Sequence, residues 1–279
     1  MVAKNTNQGF TMIEVMLFLA VTGLLFVTLM FGISTAVGRE RYNDSVHNLE
    51  EILKEQYSLA ANTQGRFEGT SDCLLRLGGD NPRVEPLPDG NQDPGRTQCL
   101  IYGRVIHFRD RYIITSTLVG ADPRNQDVAD RLADAGNSNV RHLQLLGLSS
   151  FGIFTETQRI AWDATPRPPR GGNNNNADWS TSNNTIVIAR SPMSGTTMTF
   201  VGRLNTNTDW SSTVPIHGLI SVENLQRGLE ICVDGSNIFG GRTRAVVVAA
   251  NGSGPAAVSI APLDVAVGYS GQVRPVECG

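Results

Sequence analysis

The chain has 279 residues and a formal net charge of −3, and this mildly acidic balance excludes a globally basic nucleic-acid binder. Charged residues are only 18% of the chain while glycine is abundant, at 29 residues, which favours a loop-rich and strand-rich extracytoplasmic head over a helical one. The chain beyond residue 63 suffices for one domain of about two hundred residues or for two smaller domains.

A short polar leader precedes a long apolar run that ends near Ile33. The leader, residues 1–9, has Lys4 as its one charged side chain, and residues 10–33 are long enough to cross a bilayer once as an α-helix. The run contains one ionisable side chain, Glu14. A carboxylate in hydrocarbon is costly, so it marks a functional position that needs a partner. An α-amine created by cleavage between Gly9 and Phe10 would be that partner.

Secretion with cleavage after Ala36 is the competing interpretation of this run, because residues 34–36 are small enough for a signal-peptidase site. Three observations argue against it. They are Glu14 itself, the length of the apolar run, and the helical pattern that continues through the supposed cleavage site.

Beyond the apolar run the pattern becomes that of an amphipathic helix. Apolar side chains recur at steps of three and four residues with charged residues between them, namely Tyr42, Val46, Leu49, Leu53 and Tyr57. Proline is absent from residues 10–63. One continuous helix of about 80 Å is therefore predicted, with Gln64-Gly65 as its stop signal.

The segment Gly9-Phe10-Thr11-Met12-Ile13-Glu14-Val15, followed by the apolar helix, resembles the N-terminus of type IV pilins and type II secretion pseudopilins. The resemblance covers roughly residues 4–63. It implies that a prepilin peptidase cuts after Gly9 and methylates the new amine of Phe10. It also gives Glu14 the place of the family's fifth-position glutamate.

The resemblance implies an α+β fold in which the long N-terminal helix, with a transmembrane half (10–33) and an amphipathic half (34–63), packs on an antiparallel β-sheet head (64–279). The head would be pilin-like with a large insertion. The implied partners are the prepilin peptidase, other pilin or pseudopilin subunits and an inner-membrane platform protein. Before assembly the chain would be a single-pass cytoplasmic membrane protein with its leader in the cytoplasm, and afterwards part of an extracytoplasmic filament.

Two functional hypotheses follow from these features. The first is a structural subunit, a minor pilin or a large pseudopilin, because the head is larger than that of a compact major pilin. The second is a membrane-anchored surface binding protein or adhesin that never polymerises. The ligand of the head is unknown in both.

The head sequence predicts mostly strands. Leu100–Leu118 has the pattern of a β-hairpin turning at Arg109-Asp110-Arg111, residues 127–135 that of a short helix, and residues 142–148 an apolar pattern that fits helix or strand. Residues 165–184 are low-complexity and predict a surface loop or linker. Further strands are predicted at 185–189, 197–204, 229–233, 244–250 and 256–260, the last three as a meander.

Four cysteines outside the cytosol predict two disulfides. Pairing between sequence neighbours, Cys73–Cys99 and Cys232–Cys278, is preferred among the three connectivities that four cysteines allow. A zinc site is the competing interpretation, but the spacing of cysteines and histidines does not support it.

The chain lacks the sequence motifs of α/β-hydrolases, zinc proteases and nucleotide-binding loops, so neither an enzyme nor a cofactor is predicted. No metal site is predicted either, since residues 89–93 resemble the start of a calcium loop that then lacks its glycine and its final glutamate. A basic and aromatic cluster on the hairpin could bind single-stranded DNA, but a solvated hairpin tip is the preferred interpretation. Its members are Tyr102, Arg104, His107, Phe108, Arg109, Arg111 and Tyr112.

Overall fold

The computed structural model describes residues 11–62, 73–76, 83–86, 99–109, 112–136, 138–167, 184–204, 213–235, 243–261, 266–267, 273–274 and 278. These residues form an α+β structure with one long N-terminal helix. The helices are α1 (Met12–Ala61), α2 (Gln126–Asp134), α3 (Asn139–Leu145) and α4 (Val222–Leu225). Short 3₁₀ turns occupy Ala161–Asp163, His217–Leu219 and Pro255–Ala257.

The described strands number fourteen and pair only in antiparallel fashion. In chain order they are β1 (Cys73–Arg76), β2 (Arg83–Pro86), β3 (Cys99–Arg109), β4 (Tyr112–Ala121), β5 (Ser149–Arg159), β6 (Thr165–Arg167), β7 (Asn184–Arg190), β8 (Thr197–Arg203), β9 (Val214–Pro215), β10 (Leu229–Asp234), β11 (Thr243–Val248), β12 (Val258–Ile260), β13 (Ala266–Val267) and β14 (Val273–Arg274).

The α1 helix runs for 50 residues without a break. Thr11 caps its N-terminus, because the Thr11 side chain accepts a hydrogen bond from the backbone N–H of Glu14. Asn62 caps the C-terminus by donating its backbone N–H to the Ser58 carbonyl at 3.1 Å. At the α-helical rise α1 is about 75 Å long. The prediction of one continuous helix is confirmed over these residues, while Gln64-Gly65 lies outside the described residues.

Two larger sheets form the head. The first has six strands in the order β8-β7-β3-β4-β5-β9, and the second has four strands in the order β12-β11-β10-β6. The β3–β4 pair confirms the predicted hairpin, whose Asp110 and Arg111 lie outside the described residues. The β10–β11–β12 run confirms the predicted meander.

One apolar core joins α1 to both of these sheets. The predicted stripe on α1 is buried along its whole length, with every member at most 5% exposed: Tyr42, Val46, Leu49, Leu53 and Tyr57. They pack against strand residues of the six-stranded sheet, such as Ile106, and of the four-stranded sheet, such as Ile231. A second core lies on the opposite face of the six-stranded sheet, where Val128 of α2 and Leu143 of α3 cover it. The six-stranded sheet is therefore covered on both faces.

In three segments of the head the structure shows elements that the sequence left open or did not predict. The ambiguous run 142–148 is helical over the residues that belong to α3. Strand β5 was not predicted, and its irregular pairing with β4 includes a register shift between Thr115 and Thr117. Strand β6 falls inside the predicted linker, and Pro166 is tolerated there because β6 is an edge strand. Residues 168–183 of that linker lie outside the described residues.

The disulfide between Cys232 and Cys278 is present, with the two Cα atoms 5.6 Å apart. It joins strand β10 to the C-terminal end of the chain and packs against Ala245 and Ala261. Cys99 is also disulfide-bonded. The side chain of Cys73 lies outside the described residues, so the Cys73–Cys99 pairing stays a prediction.

A buried histidine in the six-stranded sheet makes the stability of the head depend on pH. His107 is 1% exposed, its Nδ1 lies 2.8 Å from Thr185 Oγ1, and burial, with a smaller contribution from Arg109, lowers its pKa from 6.5 to about 4. Because the folded pKa lies below the unfolded value, the unfolded state binds more protons between the two values. The stabilisation is therefore complete above pH 6.5 and is lost as the pH falls to about 4.

We expect the free energy of unfolding to fall by about 3 kcal/mol over this window because of His107, at roughly 1.4 kcal/mol for each pKa unit. Burial raises the pKa of Glu230 and acts in the opposite sense, so the measurement is a difference between variants. Denaturant unfolding at a series of pH values should show a flatter profile for His107→Gln than for the wild type. The exposed His47 provides the control, and His47→Gln should keep the wild-type slope. An unchanged slope in His107→Gln would contradict the assignment.

Candidate functional site in the exposed half of the N-terminal helix

The first half of α1 exposes an apolar surface. Nearly every large apolar side chain from Met12 to Ile33 is at least 47% exposed, and Gly38 is the first buried residue of the helix. An uninterrupted apolar surface of this size on a protein marks an interaction with lipid or with another protein. The helix is long and apolar enough to span a membrane, and its most apolar stretch is not buried at all within the protein. A single-pass membrane anchor fits these properties.

The two hydroxyl groups between Met12 and Ile33 are satisfied by the helix itself. Thr22 Oγ1 donates to the Phe18 carbonyl at 2.8 Å, and Thr28 Oγ1 donates to the Leu25 carbonyl at 2.9 Å. A polar group in hydrocarbon needs such an internal partner because no water is available. The two threonines therefore leave no unsatisfied hydroxyl group in a helix placed in lipid.

Glu14 is the one charged side chain in this half of the helix. It is exposed, and it sits in the first turn, where a carboxylate interacts favourably with the helix dipole. Among residues 11–62, no side chain forms an ion pair with its carboxylate. Gly9 and Phe10 lie outside the described residues, so the cleavage bond and the pairing of Glu14 with the Phe10 amine stay predictions.

The second half of α1 is fixed to the head by buried tyrosines. The Tyr42 hydroxyl donates to the Val233 carbonyl at 3.1 Å and accepts a hydrogen bond from the Arg244 backbone N–H. The Tyr57 hydroxyl lies 2.7 Å from Thr199 Oγ1 on β8. Burial raises the pKa of Tyr57 to about 12 and also raises that of Tyr42, so both hydroxyls keep their protons at neutral pH. These bonds tie α1 to both sheets.

An arginine supplies a further tie between α1 and the six-stranded sheet. Arg104 Nε donates to Gln56 Oε1 on α1, and Arg104 Nη1 donates to Thr117 Oγ1 on β4, both at 2.8 Å. Burial lowers the pKa of Arg104, and nearby Glu156 and Glu55 oppose that shift. The exposed apolar half thus belongs to a helix whose second half is firmly attached to the head.

The predicted basic and aromatic cluster of the hairpin does not form one surface. Tyr102, His107 and Phe108 are each at most 4% exposed, and Arg104 is bonded inside the head. Tyr112 is partly exposed, whereas Arg111 lies outside the described residues. Because the rings of Tyr102 and Phe108 are in the two cores, the cluster cannot form a stacking surface for single-stranded DNA.

Metal-ligating side chains are scattered over the described part of the chain. There, no three His, Cys, Asp or Glu side chains come together as a metal site, and residues 89–93 lie outside it. His142 is buried on α3, and neither of its ring nitrogens has a hydrogen-bond partner among the described residues. A contact that the sequence did not predict lies beside α1, where the Arg41 guanidinium stands 4.6 Å from the centre of the Trp162 ring. These two residues are far apart in the chain, so no local pattern signals their contact.

Comparisons of the chain with models of protein families, with curated proteins and with solved structures find no match.

Proposed function

We propose that this protein is a structural subunit, a minor pilin or pseudopilin, of a type IV pilus-like or type II secretion-like filament. A prepilin peptidase would process it between Gly9 and Phe10. One observation carries the proposal: α1 is a single unbroken helix whose first half is apolar and exposed and whose second half is buried in the head. Glu14, the carboxylate without a partner in the described part, lies at the very start of the apolar half.

The physical mechanism is assembly through the apolar half. In the precursor this half lies in the membrane, where lipid chains surround its side chains. In a filament the same side chains of many copies pack against each other, and the heads face outward. Contacts that repeat head-to-tail without closing a ring produce an open helical filament. A subunit needs no catalytic group for this role.

Glu14 and the Phe10 amine would fix the register between neighbouring subunits. The amine exists only after cleavage, and in a water-excluded helical bundle the carboxylate of one copy and the amine of the next neutralise each other. Breaking one partner of such a buried pair costs about 3–5 kcal/mol, even where the intact pair adds little net stability. The pair therefore selects correctly aligned and processed subunits.

The alternative is a membrane-anchored binding protein or adhesin that does not polymerise. The apolar half fits an anchor equally well. A plain anchor, however, gives no reason for a carboxylate at Glu14, which raises the cost of insertion.

The mature N-terminus separates these functions. We expect intact-mass analysis of the protein from its native membrane to show a chain that begins at Phe10 and carries one added methyl group. Cells without prepilin peptidase provide the control and should retain the chain from Met1. A Met1 start in the wild type would support the plain anchor and contradict the proposal. A start at Val37 would indicate a secreted protein and would contradict it as well.

A further inference from the structure

An arginine and a tryptophan form an exposed surface beside the second half of α1. We call it the stacked surface, and its members are Arg41 and Trp162. The Arg41 Cζ lies 4.6 Å from the centre of the Trp162 ring, Trp162 is 49% exposed, and Arg41 is exposed as well. Tryptophan and arginine are among the residues that most often carry the binding energy of protein interfaces. The stacked surface therefore has the composition of a docking site for a protein.

The turn that carries Trp162 is held in an unusual backbone conformation, with φ 61° and ψ 27° at Trp162. A bulky side chain in the left-handed region is strained, and such strain persists only where the surroundings hold it. Here Ile160 is buried in the core, and the Ala161 N–H donates to Asn48 Oδ1 on α1 at 3.0 Å. The indole is thus fixed beside α1 between the levels of Arg41 and Asn48. A side chain that is already fixed loses little entropy when a partner binds.

The exposed face of the same half of α1 carries acidic side chains that lie within an arc of about 60° around the helix axis. We call them the acidic row, and its members are Glu40, Asp44, Glu51 and Glu55, all of them exposed. Among the described residues, none forms an ion pair with these acids or with Arg41. Arg104 lies near Glu55 but is bonded inside the head. Like charges four residues apart destabilise a helix, so the row lowers the stability of the isolated subunit and favours a positively charged partner.

The register expected in the filament brings these two surfaces to the same height. The proposed pair of carboxylate and amine at the start of the helix displaces the next copy by four residues, or about 6 Å along the helix axis. Arg41 of that copy then lies within about 2 Å of the level of Asp44 of the first copy. Asn48, beside which the indole is held, comes equally close to the level of Glu51. The stacked surface of one copy is therefore level with the acidic row of its neighbour.

We propose that the stacked surface of each copy docks on the acidic row of the neighbouring copy in the filament. The Arg41 guanidinium donates to the Asp44 carboxylate, and the indole N–H of Trp162 faces Glu51. The contact joins two different surfaces, so it repeats in one direction without closing a ring. The inference rests on the proposed filament function and adds to it a second, charge-selective contact outside the apolar half.

Cysteine crosslinking between two kinds of copy tests this contact in assembled filaments. Cells express an Arg41→Cys copy and an Asp44→Cys copy that carry different epitope tags, and sheared filaments are treated with a short bis-maleimide. We expect a crosslinked dimer that carries both tags. The matched control replaces Asp44→Cys with Ser58→Cys, which is exposed on the same half of α1 but about 20 Å from the expected level of Arg41. That pair should yield no more dimer than the wild-type chain.

A charge reversal gives a second measurement that does not depend on crosslinking. Asp44→Lys should lower incorporation into sheared filaments by about tenfold or more, because it sets like charges against each other across the interface. Asp134, exposed on α2 on the other side of the six-stranded sheet, provides the control, and Asp134→Lys should incorporate as the wild type does. Equal incorporation of the two variants, or filaments of processed subunits without the Arg41–Asp44 dimer, would overturn the inference and leave the filament function standing. A chain that keeps Met1 and forms no filament would overturn both.

Discussion

Replacing Glu14 with leucine is expected to leave membrane insertion intact and to reduce incorporation into filaments by about a hundredfold or more. Leucine removes the one charge from the exposed apolar half, so the variant inserts at least as readily as the wild type. In the filament, however, the Phe10 amine of a neighbour would be left buried without its counter-charge. That loss costs about 3–5 kcal/mol, and every ~1.4 kcal/mol corresponds to a tenfold change in an equilibrium.

The matched control is Thr22→Val, which removes a polar group from the same half of the helix. The Thr22 hydroxyl bonds to the carbonyl of Phe18 in its own helix, so its removal leaves no neighbour unpaired. Thr22→Val subunits should therefore enter filaments at nearly the wild-type level. The measurement is the ratio of subunit in sheared filaments to subunit in membranes, from cells expressing each variant at equal amounts. Glu14→Leu incorporation at the level of Thr22→Val would show that Glu14 pairs with nothing in the filament.

The parts of the fold that the sequence predicted are those with local patterns. The stripe on α1 repeats at the helical period over contiguous residues, so it could be recognised without knowing what covers it. The β10–β11–β12 meander combines alternating apolar residues with short turns, such as that at Asn251, which has φ 55°. The disulfide Cys232–Cys278 follows from a preference for neighbouring cysteines, and that preference holds here.

The parts of the fold that the sequence did not predict depend on contacts between distant segments. Strand β5 lacks an alternating apolar pattern, and its extended form comes from pairing with β4 on one side and β9 on the other. Strand β6 has three residues in a low-complexity segment and exists through its pairing with β10. The hairpin cluster resembles a surface in the sequence because the alternation of β3 does not reveal that both faces of its sheet are covered.

The candidate site likewise has features that the sequence shows and features that only the structure shows. Glu14 and the apolar run are visible in the sequence because each is defined by a few neighbouring residues. The division of α1 at Gly38 into an exposed and a buried half required the structure, since burial depends on which sheets reach the helix. The contact between Arg41 and Trp162 also required it, because these residues meet only through the turn after β5.

This division predicts that the same substitution affects head stability strongly at one position of the helix and hardly at all at another. Leu53 is fully buried between α1 and the sheets, whereas Leu17 is 65% exposed. Leu53→Ala should lower the free energy of unfolding of the head by about 2–5 kcal/mol, because it leaves a cavity in the core. Leu17→Ala should change it by less than about 0.5 kcal/mol, as surface substitutions do.

The measurement is guanidinium unfolding of the full-length protein in mild detergent, followed by near-ultraviolet circular dichroism of the head. Both variants lose the same side-chain atoms from the same helix, so differences in helix propensity cancel. Equal destabilisation by the two variants would mean that the first half of α1 also packs within the subunit. Its apolar surface would then be unavailable to lipid or to neighbouring subunits, and both the anchor and the filament assigned to this helix would be excluded.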